Sequence, residues 1–187
     1  MNLMELLELN DHYHKKSGRN IGTDKEWRHK YCSTFYEEAF LPYKDKPVTL
    51  LEIGTGQGGG LLLWNDYFTQ GEIYGLDVND YTENCHKDYP RIHTALINAY
   101  DSQTADSLPG FDIVIDDGPH TKESQIAAIQ LYLPKVKKDG IFVIEDIPEL
   151  SWAEDYKQYV PEGYKSEIVD TRNIANLFDN IMFIVWK

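Results

Sequence analysis

From residue 48 to the C-terminus the chain repeats one alternation, which leaves few folds open to it. Short apolar, β-branched runs at 48–53, 72–76, 92–97, 111–115 and 141–144 are separated by helical stretches at 59–68 and 121–133, with shorter ones near 80–87 and 101–108. Strands that are apolar almost throughout, with helices between them, belong to a parallel sheet covered on both faces. Two further runs, 165–170 and 181–186, have only ten residues between them. That is short for a right-handed crossover, so the last strand is expected to lie antiparallel to its neighbours. The pattern predicts an α/β, Rossmann-like sandwich on a seven-stranded, mostly parallel sheet with an antiparallel last strand. Ahead of it, Leu3, Leu6 and Leu7 predict a helix over 2–16, and a second is expected over 26–40, stopped before Pro42. With no repeat or linker in 187 residues, one domain is expected, a helical extension at 1–45 capping a core at 46–187.

The strongest local motif is Leu51-Glu52-Ile53-Gly54-Thr55-Gly56-Gln57-Gly58-Gly59-Gly60, a strand that runs into a glycine turn and then a helix. Glycines there let the backbone approach a ligand, and the helix start offers free N–H groups. The six residues from Gly54 fit GxGxxG, and Thr55, Gly56 and Gly58 fall within the candidate binding loop. Asp77, with Val78 beside it, ends the second strand, where an acidic side chain accepts ribose hydroxyls. Tyr100, Asp101 and Ser102 follow the third strand and complete the candidate cofactor-binding set, with Tyr100 able to stack on a base. A solvated loop Asp is the plain alternative for Asp101.

Charge discriminates among ligands for this loop. The chain has 31 acidic and 18 basic residues, a net charge of −13. Glu52 lies on the first strand, Asp116 and Asp117 end the fourth, and Glu145 and Asp146 end the fifth. Strand ends of a parallel sheet share one rim, and adjacent strands lie about 4.8 Å apart, so these carboxylates are expected to converge. Such a mouth repels the pyrophosphate of NAD or FAD and suits a cationic ligand, a divalent metal, or both. S-adenosylmethionine fits, with a ribose for Asp77, an ammonium for acidic partners, and a sulfonium; Asp116 either takes that ammonium or supports the metal. A nicotinamide oxidoreductase and a non-catalytic nucleoside-binding module remain the competing functions. The same charge argues against nucleic acid and anionic membrane as partners. No apolar run approaches the ~20 residues that span a bilayer, and no signal-peptide pattern opens the chain. Two cysteines, Cys32 and Cys85, form no CxxC. A reduced, cytoplasmic chain without structural zinc is therefore expected.

On these residues the chain resembles the class I S-adenosylmethionine-dependent methyltransferases, whose sheet ends in the same antiparallel hairpin. More narrowly, Gly22-Thr23-Asp24-Lys25, Asp116-Asp117-Gly118-Pro119-His120 and Ile144-Glu145-Asp146 resemble the metal-dependent sugar O-methyltransferases of macrolide tailoring and related rhamnosyl and cephalosporin-hydroxylase-like proteins. Pro119 stands where that group usually has Ser. The resemblance implies O-methylation of a sugar or other small-molecule hydroxyl, with S-adenosylmethionine as cofactor. It assigns Asp117, Glu145 and Asp146 to a divalent metal, and His120 becomes the candidate general base. Oxygen ligands with open positions suit Mg²⁺ or Mn²⁺, and a neutral imidazole can accept a hydroxyl proton near pH 7. The blander alternatives are helix-capping acids and a surface histidine. Thr23, Asp24 and Lys25 either fold over the cofactor or cap the helix expected at 26–40. Trp64 and Tyr67 are expected in the core, His12, His14, His29, His86 and His93 are expected to be ordinary residues, and a homo-oligomer is compatible with the sequence.

Overall fold

The computed structural model describes residues 1–8, 22–79 and 88–187. Seven strands, β1 (Thr49–Ile53), β2 (Glu72–Asp77), β3 (Ile92–Leu96), β4 (Phe111–Asp116), β5 (Val136–Ile144), β6 (Lys165–Asp170) and β7 (Ile181–Trp186), form one sheet in the order β3-β2-β1-β4-β5-β7-β6. The first five are parallel, and β7 is antiparallel to both β5 and β6. Helices α2 (Gly59–Tyr67), α3 (Ser102–Ser107), α4 (Lys122–Tyr132) and α5 (Leu150–Tyr156) connect strands, and the short α6 (Arg172–Ala175) lies in the β6–β7 connection. From β1 the chain winds outward through β2 and β3, then returns to lay β4 on the other side of β1. The crevice between β1 and β4 is thus the topological switch point, where open α/β sheets bind ligands.

Strand alternation divides the core into two layers. Leu50, Ile73, Ile113, Ile115, Ile141 and Val143 face the layer formed by α2 and the N-terminal segment. Leu51, Ile53, Val114, Phe142 and Ile144 face α3, α4 and α5. Trp64 and Tyr67 fill the first layer as expected, with Trp64 in edge contact with Tyr36 and Phe40 at 5.4 Å. Truncating a side chain as enclosed as Trp64 costs about 3–5 kcal/mol. Among the described residues no helix is long and apolar enough to cross a membrane.

The N-terminal segment departs from expectation. Instead of one helix over 26–40, the backbone turns at 25–29, passes through a left-handed Lys30 (φ 61°), and only then becomes helical. A π-helical turn, Cys32–Tyr36, leads into α1 (Glu37–Phe40) and a 3₁₀ turn, Leu41–Tyr43, with Pro42 inside it. Lys25 is drawn into the protein, and Arg28 and His29 N–H both return to the Asp24 carbonyl. That tertiary pull overrides helix propensity. Of the helix expected over 2–16, residues 3–8 are helical and 9–16 lie outside the described residues, as does the piece expected near 80–87. β5 starts at Val136, earlier than the run at 141–144, and its register against β4 shifts between Phe111 and Ile113. Lys137 therefore belongs to a strand, where it pairs with Asp112 at 2.9 Å.

Candidate active site

The glycine loop leaves β1 at the switch point. Gly54 is left-handed (φ 80°), and a Cβ there would lie 2.0 Å from the Asp117 carbonyl oxygen, so the loop and the end of β4 touch backbone to backbone. Gly56 is also left-handed (φ 49°), but nothing lies within 4 Å of where its Cβ would sit. That empty cradle is open to a ligand. The Asp77 carboxylate accepts the Gly56 N–H at 2.9 Å and the Asn79 N–H at 2.8 Å, which sets it against the loop.

Two lobes of a cleft, each about 520 Å³, meet at Gly54, Gly56, Asp24 and Asp117. One lobe brings together Asp77, Val78, Tyr100, Asp117, His120 and Asp146. The other is bounded by residues 22–25, Trp27, Glu52, Thr55 and the start of α2. Four of the expected cofactor residues line neither lobe. Gly58 is the left-handed N-cap of α2. Asp101 caps α3 by accepting the Gln103 N–H at 2.8 Å, and Ser102 begins that helix; both are exposed. Asp116 is buried and accepts the Tyr100 hydroxyl at 2.6 Å.

Strand alternation explains where the carboxylates fall. Glu52, Asp117 and Glu145 continue the face of β1, β4 and β5 that meets the N-terminal segment, whereas Asp116 points to the opposite layer. Into the first group comes Lys25, 2 % exposed, with Nζ 3.2 Å from Glu52 and 2.8 Å from Asp117, and in contact with Glu145 as well. Burial alone would discharge this amine. The charges of Asp117, Glu145 and Glu52 outweigh burial and hold the ammonium well above the usual lysine range. Burial pushes Glu52 and Asp116 up to about 7. Burial, with Asp117 and Asp146 beside it, also raises Glu145 against the opposing pull of Lys25. Glu52 Oε2, although buried, closes no hydrogen bond of normal geometry; the Trp64 indole is near enough only to favour its charged form.

The N-terminal segment supplies more partners, none of which carried a recognisable sequence signal. Tyr31 donates to Asp146 at 2.6 Å, and Tyr36 donates to Glu145. Burial keeps both phenols far above their ordinary range, so they remain donors. His29, expected to be an ordinary residue, is buried, with Nδ1 2.7 Å from Asn180 Oδ1 and 3.2 Å from Asp146 Oδ1. Although burial opposes its charge, Asp24, Asp146 and Asn180 together raise its pKa above the ordinary value. Gln125, also buried, donates to the Glu145 carbonyl at 3.1 Å.

His120 directly precedes the N-cap of α4, Thr121, which closes a capping box with Ser124. Both His120 (φ 55°) and Asp146 (φ 54°) are left-handed, a conformation that costs a non-glycine residue about 1–2 kcal/mol and concentrates at functional sites. His120 Nε2 stands 3.8 Å from Asp117 Oδ1 and 3.8 Å from Asp146 Oδ2, while its buried Nδ1 has no partner. These spacings exceed a hydrogen bond and leave room for an intervening atom. Ligand atoms of Asp117, His120 and Asp146 all lie within 4.8 Å of one another; the two carboxylates offer the oxygens that a hard divalent cation takes, and the imidazole stands beside them. Glu145, the third carboxylate expected to bind metal, is engaged by Lys25 and Tyr36.

A family model described as a methyltransferase domain matches residues 51–147. The 8-demethyl-8-alpha-L-rhamnosyl tetracenomycin-C 2'-O-methyltransferase of Streptomyces olivaceus is 33% identical over 165 residues, 80% of this chain and 43% of its own length. Mycinamicin VI 2''-O-methyltransferase of Micromonospora griseorubida is 35% identical over 128 residues, 63% of this chain and 31% of its own length. Among solved structures, MycE methyltransferase from the mycinamycin biosynthetic pathway, in complex with Mg, SAH and mycinamycin VI, superposes with a TM-score of 0.65 at 30% identity. That match covers 85% of this chain and 42% of MycE. The chain spans less than half the length of each of these relatives.

Proposed function

Because this chain belongs to the methyltransferase-domain family, we propose that it moves the methyl group of S-adenosylmethionine onto a hydroxyl of a sugar or glycoside, assisted by Mg²⁺. The observation that carries this is one lobe of the cleft whose wall includes both Asp77 and Gly56, suited to a nucleoside, and Asp117, His120 and Asp146, suited to a cation and a proton. The relatives named as O-methyltransferases of a rhamnosyl tetracenomycin-C and of mycinamicin VI support the acceptor class.

Asp77 would take the ribose hydroxyls, the Gly56 cradle would admit the backbone-hugging part of the nucleoside, and Tyr100 would wall the adenine. Asp117, Glu145 and Asp146 would hold the metal. When bound, the ion supplies Lewis acidity that lowers the pKa of an acceptor hydroxyl. His120 Nε2, between Asp117 and Asp146, accepts that hydroxyl's proton. The acceptor oxygen bonds the methyl carbon as the carbon–sulfur bond breaks, and S-adenosylhomocysteine and the methyl ether leave. Asp117 and Asp146 stabilise the imidazolium that results, and Tyr31 and His29 keep Asp146 in place.

The test is a methyl-transfer assay across glycosides with and without a chelator, paired with calorimetry of S-adenosylhomocysteine. His120→Ala should lower kcat by about 10²–10⁴-fold and leave S-adenosylhomocysteine affinity unchanged. Turnover that survives exhaustive chelation would remove the metal from the mechanism. Undiminished kcat in the histidine variant would move the base elsewhere.

A further inference from the structure

We infer that Lys25 is an internal counter-ion that competes with the divalent cation for Asp117 and Glu145, and that its release couples metal binding to cofactor binding. This rests on the function proposed above. The ammonium now sits where a cation is wanted: it touches Glu145 and lies 2.8 Å from Asp117, two of the three carboxylates proposed to bind metal. Both cannot be satisfied by the lysine and coordinate an ion fully at the same time. Mg²⁺ brings twice the charge and draws its oxygens to about 2.0–2.1 Å, which leaves no room for an ammonium between them.

The displaced side chain has an open direction, the lobe that it lines. Lys25 lines the cleft lobe beside the glycine loop, and Glu52, 3.2 Å from Nζ, lines the same lobe and can keep its hold. Among the described residues Lys25 is the one lysine or arginine on either lobe, whose other charged walls are Asp24, Glu52, Asp77, Asp117 and Asp146, with His120 beside them. The amino-acid end of S-adenosylmethionine is a zwitterion. Among the described residues no other lysine or arginine lines the cleft, so a Lys25 that turns into the lobe is the cation for the cofactor's carboxylate, and the cofactor's ammonium finds Glu52, whose Oε2 is buried and short of a hydrogen bond. Metal therefore frees the cation that the cofactor's carboxylate needs. By linkage the coupling is reciprocal, so the cofactor favours the metal by the same factor.

Calorimetry of wild type and Lys25→Met, with MgCl₂ and S-adenosylhomocysteine as probes, reads this directly. In wild type, saturating Mg²⁺ should tighten S-adenosylhomocysteine binding by about 5–20-fold. Lys25→Met should bind Mg²⁺ about tenfold more tightly, because its competitor is gone, and should lose the coupling. Since removing a buried cation can unfold a protein, a second measurement uses wild type alone: amine acylation read by peptide mass spectrometry. Lys25 should be protected without metal and become reactive when Mg²⁺ is added. Wild type that binds both probes while Lys25 stays protected, or a folded methionine variant that binds Mg²⁺ no better, overturns the competition and leaves the function standing. Wild type that binds neither probe overturns the function and this inference together.

Discussion

Gly54 and Gly56 look equivalent in sequence but have different jobs in the structure. Both are left-handed, yet one is packed against the Asp117 backbone and the other faces open space. Gly54→Ala forces its new methyl onto the Asp117 carbonyl, and about 2–5 kcal/mol of stability should be lost; a Tm equal to wild type would refute the tight packing. Gly56→Val should cost only the backbone conformation, about 1–2 kcal/mol, and stay folded. Its side chain fills the cradle, so S-adenosylhomocysteine binding should disappear in calorimetry. Retained affinity would show that the nucleoside does not approach there. Asp116 and Asp117 make the same point for acids. Neighbours in sequence, they point to opposite faces of β4, so one meets Tyr100 and the other meets Lys25.

At the scale of elements, the sheet is stitched at its base by one carboxylate. Asp112 on β4 accepts the Thr49 N–H of β1 at 2.7 Å and the Lys137 ammonium of β5 at 2.9 Å. Burial works against its charge, but these bonds prevail and hold its pKa below the ordinary value. A lowered carboxylate contributes stability above its unfolded pKa of about 3.9 and loses it as pH falls through the folded value. Asp112→Asn should therefore cost about 1–2 kcal/mol at pH 7, with a gap from wild type that closes as urea titrations move below pH 4. A gap that stays constant with pH would mean that packing, not charge, is what Asp112 provides. The strands were legible because their apolar runs are local, and so was the terminal hairpin, because a ten-residue connection is short for a crossover. The segment at 26–40 was not legible as built. Its break at Lys30 follows from Lys25 entering the site, which local propensity does not encode.

Across the whole molecule, the N-terminal segment and the C-terminal hairpin are locked together behind the site. Asn180, fully buried, donates to the His29 carbonyl at 2.9 Å and also to Thr171, while its Oδ1 faces His29 Nδ1. Asn180→Ala strands these groups, and should cost about 2–3 kcal/mol and lower Tm by about 5–10 °C. An unchanged melting curve would show that water replaces the amide without loss. The sequence by itself determined the sheet, the glycine loop with Asp77, and the gathering of acids at one rim. Each follows from periods of two and 3.6 or from a strand end, and each is readable within a few residues. Only the tertiary structure decided that His120 and Asp146 are left-handed, and that Lys25, His29, Tyr31 and Tyr36 partner Glu145 and Asp146. Those contacts join residues about a hundred or more positions apart. They exist because a charge taken out of water must find an opposite charge or a hydrogen bond wherever the fold brings one.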